Sequence, residues 1–160
     1  MRVPASKSVA NRELLLSALA KGRSAIDLGD GDPGEDVRAM RGAIGALGCA
    51  VDGGPKGIVT VTGLGEGAPT LEARIDAGDA GTVARFVTAL AATLPGRTRI
   101  DGSPRLRQRP LAPLIRALRQ LGATVDGDSL PLTVTGPLNG LLATSTRARR
   151  CSFCVIQPRR

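Results

Sequence analysis

The sequence predicts an α/β fold built from two copies of one β-α-β-α-β-β unit. Three observations predict it. The first is an internal repeat at a spacing of 74 residues: Gly22, Arg23, Ile26 and Asp27 fall on Gly96, Arg97, Ile100 and Asp101. The same spacing sets Ala43, Gly48, Asp52 and Gly53 on Ala117, Gly122, Asp126 and Gly127, and each copy then closes with Val-Thr-Gly, at 61–63 and at 134–136. The second is an alternation of helical and strand periods between glycine-rich turns. The third is a chain that must build its core from Leu, Ile, Val and Ala, because Phe86 and Phe153 are its only aromatic residues.

The elements follow in order. Leu14, Leu15, Ala18 and Leu19 recur at helical spacing, which predicts a helix over Ser8–Lys21 that Gly22 ends. Ser24–Leu28 reads as a short strand. The run GDGDPGED is a turn into a second helix, Val37–Leu47, closed by Gly48. Ala50–Asp52 and Ile58–Thr62 read as a hairpin-like pair. The second copy repeats this order: a strand near Leu71–Ile75, the loop AGDAG, a helix over Thr82–Leu94, a strand at Thr98–Ile100, a basic loop, a helix over Leu111–Leu121, and strands at Thr124–Val125 and Leu132–Val134. Only Arg2-Val3-Pro4 stands where the opening strand of the first copy belongs, so that strand is expected to be truncated.

Composition excludes several functions. The chain has no His, the commonest general base and metal ligand. It has no apolar run of membrane-spanning length and no signal-peptide pattern, so a cytoplasmic protein without membrane partners is expected. The net charge of +8 suggests nucleic acid, but five Arg and no acid lie in the last 20 residues. The first 140 residues hold 17 basic and 14 acidic groups, a small excess that suits a small anion better than a nucleic acid. Cys151 and Cys154 form a C-x-x-C without a second pair or a His to complete a zinc site, and Cys49 reads as a small buried apolar residue.

Three segments carry candidate chemistry. Pro4-Ala5-Ser6-Lys7-Ser8, with Asn11 and Arg12, and Ala77-Gly78-Asp79-Ala80-Gly81-Thr82, with Arg85, are small-residue loops that open helices. A helix start offers unpaired N–H groups and a positive dipole end, and small residues let an anion come close. Lys7 adds a point charge; Ser8 and Arg12, four apart, share a helix face. Arg12 falls one place off Arg85 under the repeat, so each unit is expected to carry an Arg at an equivalent helix start. The third segment, Arg105-Leu106-Arg107-Gln108-Arg109-Pro110, sets three Arg at alternating positions, which in a strand or loop would face one side. Taken singly, each segment is an ordinary cap, turn or solvated face.

Together, Val-Pro-x-Ser-Lys-Ser-x-x-Asn-Arg, Ala-Gly-Thr-x-x-Arg-Phe and Pro-Arg-Leu-Arg-x-Arg-Pro-x-x-Pro-Leu, in this order and spacing, resemble the signatures of the enolpyruvyl-shikimate-phosphate synthases (3-phosphoshikimate 1-carboxyvinyltransferases). The resemblance runs from Val3 to about Gly140. It implies the enolpyruvyl transferase fold, an inside-out α/β barrel, with two of the three units of one domain present: unit one at about 1–65, unit two at about 70–137. It implies transfer of the enolpyruvyl group of phosphoenolpyruvate to shikimate 3-phosphate in aromatic amino acid and chorismate biosynthesis, with no metal or other cofactor and a monomeric full-length protein. It implies that Lys7, the catalytic candidate, contacts both substrates, that Ser8 and Arg12 hold shikimate 3-phosphate, that Gly81 lies against phosphoenolpyruvate, and that Arg109 clamps it. Two positions depart from the pattern: Ala5 stands where Gly is usual, and Asp79 where Asn is common, so an inward carboxylate there would weaken anion binding.

The family follows Pro-Leu-Asn-Gly with a segment like Val-Asp-Ala-Ser-x-Ser-Ser-Gln-Phe, which this chain lacks. Codons permitted by Thr144–Cys154, read in a shifted frame, can spell Val-Asp-Ala-Ser-Ala-Ser-Val-Gln-Phe-Leu. The basic tail 141–160 is therefore expected to be an out-of-frame, disordered reading of that segment, and the chain to lack turnover alone. Two other readings stand beside this one. UDP-N-acetylglucosamine enolpyruvyl transferase shares the fold, although Lys7-Ser8 and the Arg-Leu-Arg-Gln-Arg-Pro loop suit the shikimate enzyme better. The other is a non-catalytic anion-binding fragment.

Overall fold

A computed structural model describes residues 6–29, 31–54, 57–65 and 71–138. Arg2-Val3-Pro4, Ala5 and the tail 141–160, with Cys151 and Cys154, lie outside the described residues.

Unit one runs α1 (Lys7–Leu19), β1 (Lys21–Asp27), α2 (Glu35–Ala46), β2 (Ala50–Gly53) and β3 (Ile58–Leu64). Unit two runs β4 (Leu71–Asp76), α3 (Gly81–Thr93), β5 (Gly96–Asp101), α4 (Pro104–Arg107), α5 (Ala112–Gln120), β6 (Thr124–Asp126) and β7 (Leu132–Gly136). The first sheet has the strand order β1-β3-β2, all antiparallel, and the second has β4-β5-β7-β6, in which only β4 and β5 run parallel. The two sheets match strand for strand except that β4 has no counterpart among the described residues of unit one.

Each sheet turns one face to the helices and one to solvent, so its strands alternate. Val59 and Val61 of β3, Thr98 and Ile100 of β5, and Leu132 and Val134 of β7 are buried, while Arg97 and Arg99 between them are exposed. Leu14, Met40, Ile44, Ile100, Ile115 and Leu132 are among the fully buried side chains of one continuous aliphatic cluster that joins the two units. Contacts of α2 with α3 and β4 make the joint.

The repeated Val-Thr-Gly has a steric cause. A Cβ on Gly63 would stand 2.3 Å from the carbonyl oxygens of Ser17 and Ala20, and one on Gly136 would stand 2.3 Å from that of Leu94 and 2.9 Å from that of Ala91. In each unit the last strand thus passes against the open carbonyls that end the first helix. The adjoining chain caps some of them: Gly65 N–H donates to Ala20 (3.1 Å) and Leu138 N–H to Ala92 (2.8 Å).

One element was misread in the sequence. The basic loop contains a short helix, α4, because Ser103 Oγ accepts the Leu106 N–H (3.1 Å) and Pro104 sits at the first helical position. Residues two apart on a helix point in different directions, so the three Arg do not face one side.

Candidate functional site

Both units bring the start of their first helix to the loop that follows their next strand. In unit two, Ser103 at the end of β5 ties the two pieces together. Its N–H donates to the Gly78 carbonyl (2.9 Å), and its hydroxyl donates to the Asp79 carboxylate. Asp79 is exposed and one of its carboxylate oxygens accepts the hydroxyl that caps α4.

This stitching sets Arg109 over the start of α3. A Cβ on Gly81 would lie 2.8 Å from Arg109 Nη1 and 3.1 Å from Arg85 Nη1. Two guanidinium groups therefore converge on a glycine at a helix N-terminus, where the dipole adds further positive potential. Arg85 is held there by its bonds to the carbonyls of Gly81 (3.1 Å) and Pro110 (3.2 Å), while Arg109 is exposed and forms no ion pair among the described residues. The remaining Arg of the segment go elsewhere. Arg107 binds Asp101 in a fork, Nε–Oδ1 2.9 Å and Nη2–Oδ2 2.8 Å, and Arg105 is exposed. That fork is the largest influence holding the Asp101 carboxyl below the usual carboxylate range, and the Gly102 N–H assists it.

In unit one, Lys7 opens α1 and crosses to the start of α2. A Cβ on Gly34 would meet Lys7 Cε at 2.9 Å and Nζ at 3.1 Å, and Gly34 takes a φ of +82°, which favours glycine. Asp32 accepts the Gly34 N–H (2.9 Å) and pairs with Arg38. Its carboxyl is held below the usual range, first by the Gly34 N–H, then by the Arg38 guanidinium and the Lys7 charge. Ser8 and Arg12 are exposed on α1 and share a face as expected, with Arg12 Nη1 3.4 Å from the Ser8 carbonyl oxygen.

The expected equivalence of Arg12 and Arg85 does not hold. α1 and α3 coincide at a spacing of 74, which pairs Arg85 with Asn11, a residue 2 % exposed, and pairs Lys7 with Gly81. Arg12 lies one place further along the helix, on another face. Sequence reasoning also passed over Gly34 and Asp32 as site residues; their signal was the turn GDGDPGED, read only as a connection. No helix among the described residues is long and apolar enough to cross a membrane.

Comparison with known proteins identifies the fold and the family. The described α/β units have the fold of enolpyruvyl transferases: the chain superposes on EPSP synthase from Acinetobacter baumannii with a TM-score of 0.73 at 26 % identity, covering 86 % of this chain and 32 % of that one. The enolpyruvyl transferase NikO from Streptomyces tendae superposes with a TM-score of 0.52 at 22 % identity, over 82 % of this chain and 30 % of its own. Residues 1–149 match the family model of EPSP synthase (3-phosphoshikimate 1-carboxyvinyltransferase), and the chain belongs to that family. A 3-phosphoshikimate 1-carboxyvinyltransferase of Thermococcus kodakarensis is 44 % identical over 140 residues, 86 % of this chain and 32 % of the relative. That of Ralstonia pickettii is 42 % identical over 127 residues, 79 % of this chain and 29 % of the relative. The chain thus spans about 30 % of the length of the curated relatives it matches.

Proposed function

We propose that this chain supplies one wall of a 3-phosphoshikimate 1-carboxyvinyltransferase site, which joins the enolpyruvyl group of phosphoenolpyruvate to a hydroxyl of shikimate 3-phosphate and expels phosphate. The observation that carries this reading is the convergence of Arg85 and Arg109 over Gly81. Two cations meeting at a helix start suit a ligand with both a phosphate and a carboxylate, such as phosphoenolpyruvate. Arg109 clamps that ligand and Gly81 leaves room for it. Lys7 reaches both substrates, and Ser8 and Arg12 hold shikimate 3-phosphate. Arg85 joins this set as a buttress, since its two carbonyl bonds fix the floor on which the ligand rests.

The wall binds but does not turn over substrate alone, because holding two polyanions in reacting distance requires a facing surface. Val9, Leu16 and Leu19 of α1 are 49, 64 and 47 % exposed, and they form the apolar face against which further chain would pack.

Titration of the 160-residue chain with shikimate 3-phosphate and, separately, with UDP-N-acetylglucosamine tests the reading. Saturable binding of shikimate 3-phosphate that Lys7→Met weakens is the expected result. Preference for the nucleotide sugar would favour the related UDP-N-acetylglucosamine enolpyruvyl transferase. Binding of phosphate, citrate and shikimate 3-phosphate alike would favour an unspecific anion-binding fragment.

A further inference from the structure

A second cluster of guanidinium groups lies on the face of the second sheet turned away from α3, and the reading above does not use it. Strands β4 and β5 run parallel with Arg74 directly beside Arg99, and both side chains are exposed. Parallel neighbours are about 4.8 Å apart, and like charges set side by side on a sheet destabilise it. The adjacent Asp101 carboxylate feels the Arg99 charge, but neither it nor Asp76 forms an ion pair with Arg74 or Arg99 among the described residues. Asp101 is occupied by the Arg107 fork and by the Gly102 N–H (2.8 Å), and Asp76 accepts the Gly78 N–H (2.8 Å). Neither Arg74 nor Arg99 forms an ion pair or a hydrogen bond among the described residues.

These groups line one cleft. Arg74, Arg99, Arg107, Asp76, Asp101 and Gly102 surround about 350 Å³ at the C-terminal ends of β4 and β5. Neither Gly81 nor Arg109 lines it, so the cleft is distinct from the start of α3. Its volume falls at the lower end of the range for small-molecule sites, about 300–1,000 Å³. It is cationic where Arg74 and Arg99 stand and carries carboxylate oxygens at its rim. Two forked donors side by side match a tetrahedral oxyanion, and carboxylates nearby accept bonds from hydroxyl groups.

We propose that the outer face of β4 and β5 binds a small hydroxylated phosphomonoester, with its phosphate between Arg74 and Arg99 and its hydroxyl groups toward Asp76. A phosphate held there offsets the repulsion between the two guanidinium groups.

The test titrates the 160-residue chain with glycerol 3-phosphate and with inorganic phosphate while following the arginine Nε–Hε signals by NMR. Saturable shifts of Arg74 and Arg99 are expected, with glycerol 3-phosphate binding more tightly than phosphate. Arg99→Gln weakens this binding about tenfold or more while melting no lower than the parent, because it removes one member of a like-charged pair. Arg109→Ala leaves it unchanged. Shifts confined to Arg85 and Arg109, or equal loss in Arg99→Gln and Arg109→Ala, would overturn the proposal. So would equal affinity for the two ligands, which would leave a site for the bare anion only. Loss of substrate binding at the start of α3 would leave these arms untouched, so the two readings fail separately.

Discussion

The two units place a cation across a glycine at the same point of the fold, but they divide the two parts in opposite ways. In unit one the helix start supplies the cation, Lys7, and the following loop supplies the space, Gly34. In unit two the helix start supplies the space, Gly81, and the following loop supplies the cation, Arg109. Lys7 and Gly81 are equivalent under the 74-residue repeat. Duplication has kept the contact while exchanging its contributors. What the fold preserves is the meeting of a helix start with the loop after the next strand; the residues that use it are free to differ. Coverage differs too: α3 buries eight of its 13 residues and α1 buries five.

The comparison can be strained at its strongest point first. If the units are structurally equivalent, Gly63→Ala and Gly136→Ala each force a Cβ into a helix-end carbonyl and each lower stability by about 3 kcal/mol. Urea unfolding measures both, and a tolerated substitution in one unit alone would break the equivalence. Leu14→Ala, which empties a fully buried position in α1, costs about 2–5 kcal/mol, but at the low end because α1 is the less covered helix.

A smaller effect separates the units. Ser103 caps α4 and binds Asp79, an arrangement found in unit two only among the described residues. Ser103→Ala lowers stability by about 1 kcal/mol and loosens Arg109, which broadens its side-chain NMR signal while leaving that of Lys7 unchanged. The Asp101–Arg107 pair adds a pH dependence. Since the Asp101 carboxyl is held below its unfolded value, its contribution is fully present above the usual carboxylate range and is lost as pH falls through the folded-state value. Asp101→Asn therefore flattens the acid limb of the stability profile, as melting curves across acidic pH can measure. The smallest effect concerns Cys49, whose thiol burial pushes up and whose Sγ lies 3.9 Å from the Ala18 carbonyl oxygen. Its alkylation at neutral pH, followed by peptide mass spectrometry, proceeds only through unfolding.

Much of this architecture was legible from periodicity and glycine punctuation. α1, α2, α3 and α5 each lie within about two residues of their expected bounds, since aliphatic spacing and closing glycines define both face and end. What escaped was local and tertiary. α4 depends on a Ser-Pro cap that a run of Arg obscures. The separate destinations of Arg107 and Arg109 depend on that helix. The residues of the site were partly legible: Gly81 and Arg109 were named from motifs, and their proximity is visible in the fold. Gly34 was not, because its importance arises only once Lys7 lies across it. The bond from the Ser103 hydroxyl to Asp79 is tertiary and has no signal in the sequence.

The proposed role of Gly81 is to leave room for phosphoenolpyruvate beneath Arg109. The most direct measurement is calorimetric titration of phosphoenolpyruvate into the chain and into Gly81→Ala. Saturable binding by the parent and a loss of about tenfold or more in the variant are expected, because the new methyl displaces Arg109, while both proteins melt alike. Equal affinity in the two folded proteins would contradict it.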